Sequence, residues 1–181
     1  MAEADVTMKA LIDAVCACTT DPWTVSIAEW VTMQRGGRAS AHLHHYLEGR
    51  TLPIHINISE LFRDDPGLER KVTEAISRDL KALTPRVRGR VALPQNAFSM
   101  TPAAQDWRYA IGSLNMDWRV VSNGAASREA EVELSFQNEY RWHPHDPRVT
   151  QCVHRAAENL KLTGARDYWM YGTPLRVKIS Y

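Results

Sequence analysis

The residues best suited to chemistry lie in one short segment, 138–148, which reads N-E-Y-R-W-H-P-H-D-P-R. Imidazole titrates near neutral pH, so either histidine could act as a general acid or base, and an aspartate could orient it. An arginine can hold a phosphate or a carboxylate through two parallel hydrogen bonds. The candidate catalytic residues are therefore Tyr140, His143, His145 and Asp146, and the candidate substrate-binding residues are Arg141 and Arg148.

The same segment also fits a structural role. Asp146-Pro147 is typical of a helix start, because aspartate caps the free N–H groups and proline suits the first helical position. His143 and His145 flank Pro144 and would then be solvated turn residues. With His154 these side chains could offer metal ligands, but H-x-H-D is not a specific metal spacing and no cysteine pair supports it. We expect no metal and no cofactor.

A second group of histidines lies in A-H-L-H-H-Y, residues 41–46. His42 and His45 are three residues apart and would share one face of a helix, with His44 beside them. His55 follows on the polar side of a predicted strand. The simplest interpretation is a set of exposed helix histidines next to a strand.

The segment 138–148 is positioned by a predicted hairpin. Apolar residues alternate with polar ones over 113–120 and again over 129–136, which indicates two strands with one buried face. Asn123-Gly124 between them predicts the turn. The polar face would pair Arg119 with glutamates of the second strand. The second strand then delivers Tyr140 and the imidazoles after it to the mouth of a pocket.

The other elements follow from spacing and from turn residues. Strand 52–58 contains Pro53, which indicates either a sheet edge or the start of the strand. The helix after Asp65-Pro66 has an apolar stripe ending at Leu83. The rest, in chain order, are helix 6–18, a helix from Ile27 to Gly36-Gly37, a short helix capped by Ser40 and ended by Gly49, a loop over 93–105, a helix from Asp146-Pro147 to Gly164, and strands 168–171 and 175–179.

This order predicts an α+β fold, with an antiparallel sheet and helices packed on one face. A length of 181 residues suits a single domain over 1–181. Within it, 1–50 would be a helical N-terminal part, and 107–181 would hold the hairpin, the last helix and the C-terminal strands.

Composition excludes several classes of protein. The chain is 44% hydrophobic and 24% charged with a net charge of +1, so no overall field favours nucleic acid, and three arginines over 86–90 do not make a specific nucleic-acid groove. Three cysteines, an odd number, are read as reduced thiols. No apolar run is long enough for a transmembrane segment, and the acidic N-terminus lacks the layout of a signal peptide. We expect synthesis in the cytoplasm and, if the protein is exported, a route without a cleavable signal peptide.

Five stretches carry a resemblance to a known class of proteins: H-H-Y-L-E-G (44–49), L-F-R-D-D-P (61–66), I-G-S-L (111–114), N-E-Y-R-W-H (138–143) and L-T-G-A-R-D-Y-W-M-Y-G (162–172). Together they resemble C-terminal toxin or effector domains of secreted bacterial antagonism proteins, loosely the colicin M-like toxins, which cleave the lipid-linked peptidoglycan precursor. Tyr140 and Trp142 match the aspartate-tyrosine-aspartate-aromatic segment of that class. Asn138 and Arg141 stand where it carries acids, so the acid is missing or is replaced by Asp146.

The resemblance implies an antibacterial effector or toxin-like domain, a hydrolase acting on a phosphorylated or cell-envelope substrate. Its partner would be a cognate immunity protein or a secretion component. The alternative is a non-catalytic structural or partner-binding module of a secretion or phage-like assembly. In that case the final strand, 175–179, would pair with a partner as an added strand.

Overall fold

The computed structural model describes residues 37–82, 86–124, 128–140, 161 and 164–181. In this part of the chain the helices are α1 (Arg38–Leu47), α2 (Ile58–Asp64), α3 (Pro66–Lys81) and α4 (Pro102–Ile111), with a 3-10 helix at Gln95–Ala97. The strands are β1 (Ile54–Asn57), β2 (Arg88–Leu93), β3 (Leu114–Gly124), β4 (Glu129–Tyr140), β5 (Tyr168–Thr173) and β6 (Leu175–Ser180). The predicted α+β class is confirmed.

The chain divides into two compact units. The first comprises Met1–Leu52 and Glu139–Tyr168, and the second comprises Pro53–Asn138 and Trp169–Tyr181. The predicted extent 1–181, with its parts 1–50 and 107–181, stays a prediction. The predicted helices over 6–18, from Ile27 and after Asp146-Pro147 lie outside the described residues.

The strands form one sheet in the order β1-β5-β4-β3-β2, with β6 also paired to β4. Strand β3 is antiparallel to β2 and to β4, and β4 is antiparallel to β6, whereas β1 runs parallel to β5. The sheet is therefore mixed and not wholly antiparallel as predicted. Within the described part of the chain, β1 lies at the end of the strand order, and Pro53 immediately precedes it, so the structure agrees with both positions that the proline indicated.

The core of the second unit lies between the apolar face of the sheet and its helices. Helix α3 buries Leu68, Val72, Ile76 and Leu80 at four-residue spacing, which is the predicted stripe except for Leu83, a residue outside the described part. Helix α3 contacts β2 and β6, and α2 contacts α3 and α4. The alternate residues of β3 and β4 are buried, so the opposite face of these strands carries the polar side chains.

Capping side chains decide where the helices begin. Asp65 is buried, and its Oδ1 accepts hydrogen bonds from the N–H of Leu68 at 3.1 Å and from the Ser99 hydroxyl at 2.6 Å. Asn57 caps α2 by accepting from the N–H groups of Ser59 and Glu60. This cap ends β1 after four residues, so the predicted strand 52–58 was too long at both ends.

Three further boundaries correct the sequence prediction. Helix α4 begins within the predicted loop 93–105, because the Thr101 hydroxyl accepts from the N–H of Ala104 and proline follows at the first helical position. Helix α1 begins after Gly37, so Ser40 lies inside it and is not its cap. The β3–β4 hairpin is confirmed, but Gly124 is still paired with Glu129, so the chain reverses after Asn123-Gly124 and not at it.

Candidate functional site

Tyr140 is the member of the candidate site that the structure describes. The other five candidates, Arg141, His143, His145, Asp146 and Arg148, lie outside the described residues, as does His154. Their roles and their convergence stay predictions.

Tyr140 is the last residue of β4 and packs in a group of aromatic rings within the first unit. Its ring stacks on Tyr168, with centroids 5.0 Å apart and planes 12° apart. The Tyr46 ring lies 5.8 Å away and the His42 ring 6.1 Å away. His45 completes the group, 4.4 Å from Tyr168 in an edge-on arrangement. We call these five residues the tyrosine–histidine cluster.

His42 is buried, which corrects the expectation of an exposed helix histidine. The hydroxyl of Tyr168 donates to the His42 carbonyl oxygen at 3.1 Å and lies 2.8 Å from the Nδ1 atom of the same residue. Because a hydroxyl has one proton, the second contact requires Nδ1–H to donate to the tyrosine oxygen. Ala39, Leu43 and Tyr46 are buried on the same helix, and their spacing places His42 on the core face.

Of the other histidines in the second group, His45 packs against Tyr168 in the same cluster as His42. His45 is half-buried, and its Nε2 lies 2.7 Å from the carbonyl oxygen of Leu52, to which it donates. His44 is exposed, as expected. His55 is exposed in the second unit, where its ring lies 6.2 Å from that of Tyr171.

Burial controls the protonation of the cluster tyrosines. Desolvation raises the pKa of Tyr46, Tyr140 and Tyr168 well above the ordinary value for a phenol. The charge of Asp167 adds to this for Tyr46, and the neighbouring tyrosines add to it for the other two. Near neutral pH, Tyr140 is therefore a hydrogen-bond donor and not a phenolate base or nucleophile.

Two buried polar atoms near these rings lack a hydrogen-bond partner in the part of the chain that the structure describes. Among the described residues, the Tyr46 hydroxyl and Oδ1 of Asp167 are buried and unpaired. The other carboxylate oxygen of Asp167 contacts Nζ of Lys161 at 2.7 Å. A buried hydroxyl without a partner has lost its hydration without replacement, which costs stability.

Asn138 shows how the chain uses one position where the resemblance expects an acid. Its side-chain Nδ2 donates to the carbonyl oxygens of Ile111 at 3.0 Å and Ser113 at 3.2 Å. An aspartate at position 138 would place a carboxylate oxygen, which only accepts hydrogen bonds, against two carbonyl oxygens, which also only accept. The amide at position 138 therefore has a structural role after α4.

The described part of the chain shows neither a metal site nor a membrane helix. No three histidine, cysteine, aspartate or glutamate side chains within it are grouped so that they could hold a metal ion. None of its helices is both long enough and apolar enough to span a bilayer.

Comparisons with known proteins give a weak structural resemblance. No family model matches the chain, and no curated protein matches it. A matching solved structure is that of PaeM, a colicin M-like bacteriocin produced by Pseudomonas aeruginosa, with 14% sequence identity and a TM-score of 0.41. The match covers 80% of this chain and 51% of PaeM, so the chain spans about half the length of that protein.

Proposed function

We propose that the chain is a toxin-like antibacterial domain, a hydrolase whose site is organised around Tyr140. The observation that carries the proposal is the fixed position of this tyrosine. Tyr140 ends a strand, stacks on Tyr168 and leads directly into the segment 141–148, which is rich in histidine and arginine. Catalytic groups act best when packing locks the side chains that carry them.

Each candidate residue has a role in this proposal. Tyr140, a neutral phenol, donates a hydrogen bond to a substrate oxygen. His143 or His145 acts as the general base, and Asp146 orients that imidazole. Arg141 and Arg148 hold a phosphate or carboxylate. Asp146 supplies the acid because Asn138, with its amide bound to two carbonyl groups, cannot.

The substrate class in this proposal is a phosphorylated or cell-envelope molecule. The similarity of N-E-Y-R-W-H to the tyrosine-containing segment of colicin M-like toxins supports it, and so do the two arginines beside the histidines. A cognate immunity protein or a secretion component would be the partner.

The test is growth of a bacterial host that expresses the chain in the cytoplasm or in the periplasm. We expect toxicity in at least one compartment, and its loss when His143, His145 and Asp146 are all replaced by alanine. The control replaces the exposed His44 and His55 by alanine, which removes the same number of imidazoles elsewhere and should leave toxicity unchanged. Circular dichroism establishes that each variant folds. Full toxicity in the triple variant would contradict the proposal.

A second candidate function is a non-catalytic, partner-binding module. Strand β6 pairs with β4 alone within the part of the chain that the structure describes. An open groove of about 460 Å³ lies beside it, lined by residues of α3 and by Lys178, Ile179 and Ser180. An extended segment could add to this strand. Normal growth with the chain in either compartment would favour this second function.

A further inference from the structure

The outer face of the sheet in the second unit carries an unbalanced row of charges. Arg88 on β2 is in register with Arg119 on β3, Arg119 with Glu133 on β4, and Glu133 with Arg176 on β6. One row across four strands thus holds three arginines and one carboxylate. Side chains in register on neighbouring strands are close enough to interact directly, and like charges facing one another are unfavourable.

The single carboxylate of this row is already engaged. Oε1 of Glu133 lies 2.6 Å from Nη2 and 2.9 Å from Nε of Arg119, and Oε2 lies 3.7 Å from Nε of Arg176. Among the described residues no carboxylate lies within salt-bridge distance of Arg88. The row therefore carries excess positive charge, because Arg119 and Arg176 share one carboxylate and Arg88 faces Arg119 without a carboxylate of its own.

The neighbouring row shows what a balanced arrangement looks like. Arg90 on β2 faces Asp117 on β3, and the pair forms a two-pronged salt bridge with distances of 2.6 and 3.1 Å. Arg88 and Arg90 lie two residues apart on the same strand and are both exposed. The row of Arg88 differs by lacking a carboxylate opposite it.

A groove lies at the same place. It has a volume of about 520 Å³, and both Arg88 and Arg119 line it. The salt-bridged Arg90 and Asp117 line it as well, as do Gly89, Trp118, Glu133 and Ser135. Two guanidinium groups at the wall of one groove provide two planar sets of donors. A carboxylate has only two oxygens for them, whereas a phosphoryl group has three and carries more charge.

We propose that this groove binds a phosphoryl group between the guanidinium groups of Arg88 and Arg119. The site lies in the second unit and uses none of the candidate catalytic residues, so it goes beyond the proposed hydrolase. Two sources share this chemistry, a soluble phosphate compound and the headgroup of a phospholipid.

The first experiment measures binding of inorganic phosphate to the full chain by calorimetry at constant ionic strength. Losing one charge-assisted interaction corresponds to a loss of affinity of about tenfold or more. We therefore expect Arg88→Gln and Arg119→Gln each to weaken binding by about tenfold. The control, Arg78→Gln, removes an equal charge from an exposed position on α3 that does not line the groove, and should change affinity by less than about threefold.

The second experiment separates the two sources. The chain is sedimented with vesicles of phosphatidylcholine alone or of phosphatidylcholine with phosphatidic acid. Cosedimentation with the phosphatidic acid vesicles that Arg88→Gln abolishes identifies a lipid headgroup as the source, and binding of inorganic phosphate without cosedimentation identifies a soluble compound. The proposal is overturned if the chain binds neither probe, or if Arg78→Gln weakens binding as much as Arg88→Gln does. Neither readout depends on toxicity, so this proposal and that of the hydrolase can fail separately.

Discussion

Two hydroxyl groups of the tyrosine–histidine cluster should respond in opposite ways when removed. The hydroxyl of Tyr168 contacts two buried polar atoms of His42, at 2.8 and 3.1 Å. The hydroxyl of Tyr46 is also buried but has no hydrogen-bond partner among the described residues. Tyr168→Phe and Tyr46→Phe are therefore a matched pair, because each deletes one oxygen and retains the ring.

The magnitudes follow from what each oxygen does. Tyr168→Phe loses a buried hydrogen bond and leaves Nδ1 of His42 without it, so the free energy of unfolding should fall by about 2 kcal/mol. For a chain of this size that corresponds to a decrease in Tm of about 4–8 °C. Tyr46→Phe removes a group that was desolvated without compensation, so stability should stay the same or rise by up to about 1 kcal/mol.

The assay is unfolding by urea and by heat, followed by circular dichroism for both variants beside the unmodified chain. If the free energy of unfolding falls with urea concentration at the same slope in both variants, the variants differ in stability and not in the surface that unfolding exposes. If Tyr46→Phe costs as much as Tyr168→Phe, the hydroxyl of Tyr46 has a partner and the description of the cluster is wrong.

Two other predictions concern pH and the amide before the candidate site. The folded state raises the pKa of all three cluster tyrosines, so their contribution to stability is complete below the unfolded pKa of about 10 and is lost as pH rises through the folded values. In that pH range each of the three tyrosines lowers the free energy of unfolding by up to about 1.4 kcal/mol per pH unit. In an alkaline titration, the tyrosinate absorbance of these three of the six tyrosines should therefore appear together with unfolding. Ionisation of all three in the folded chain would contradict this. Asn138→Asp should destabilise by about 1–3 kcal/mol in urea, since a carboxylate would replace a donor facing two carbonyl oxygens, and should cost more than Asn138→Ala. An aspartate tolerated without cost would refute the structural role of the amide.

The sequence predicted the elements whose signals are local. The alternation of apolar and polar residues predicted β3 and β4. Asp65-Pro66 predicted the start of α3, because a capping aspartate and a proline at the first helical position are enough to begin a helix. Helix α4 was missed although Thr101-Pro102 gives the same kind of start. The proline and alanine content of this stretch obscured its helical stripe of buried residues.

Other features depend on residues far apart in the chain, and no local pattern contains them. The parallel pairing of β1 aligns Ile54 with Met170, so its direction is set by the path of more than a hundred intervening residues. The burial of His42 was readable from its helical neighbours, but its hydrogen bond to Tyr168 was not, because that partner is 126 residues away. The sequence predicted Tyr140 as a site residue but not the rings of Tyr46, Tyr168 and His42 that pack around it.

The structure changes which residues an enzymatic mechanism can use. Tyr140 keeps its proton near neutral pH, and Asn138 is committed to two backbone carbonyl groups, so neither supplies a negative charge to the reaction. In the proposed hydrolase, the general base and the acid that orients it come from the residues that follow the strand. Within 141–148 the one carboxylate is Asp146. The hydrolase proposal consequently depends more heavily on Asp146 than on either histidine. Either imidazole could act as the general base, whereas 141–148 contains no second carboxylate to orient it.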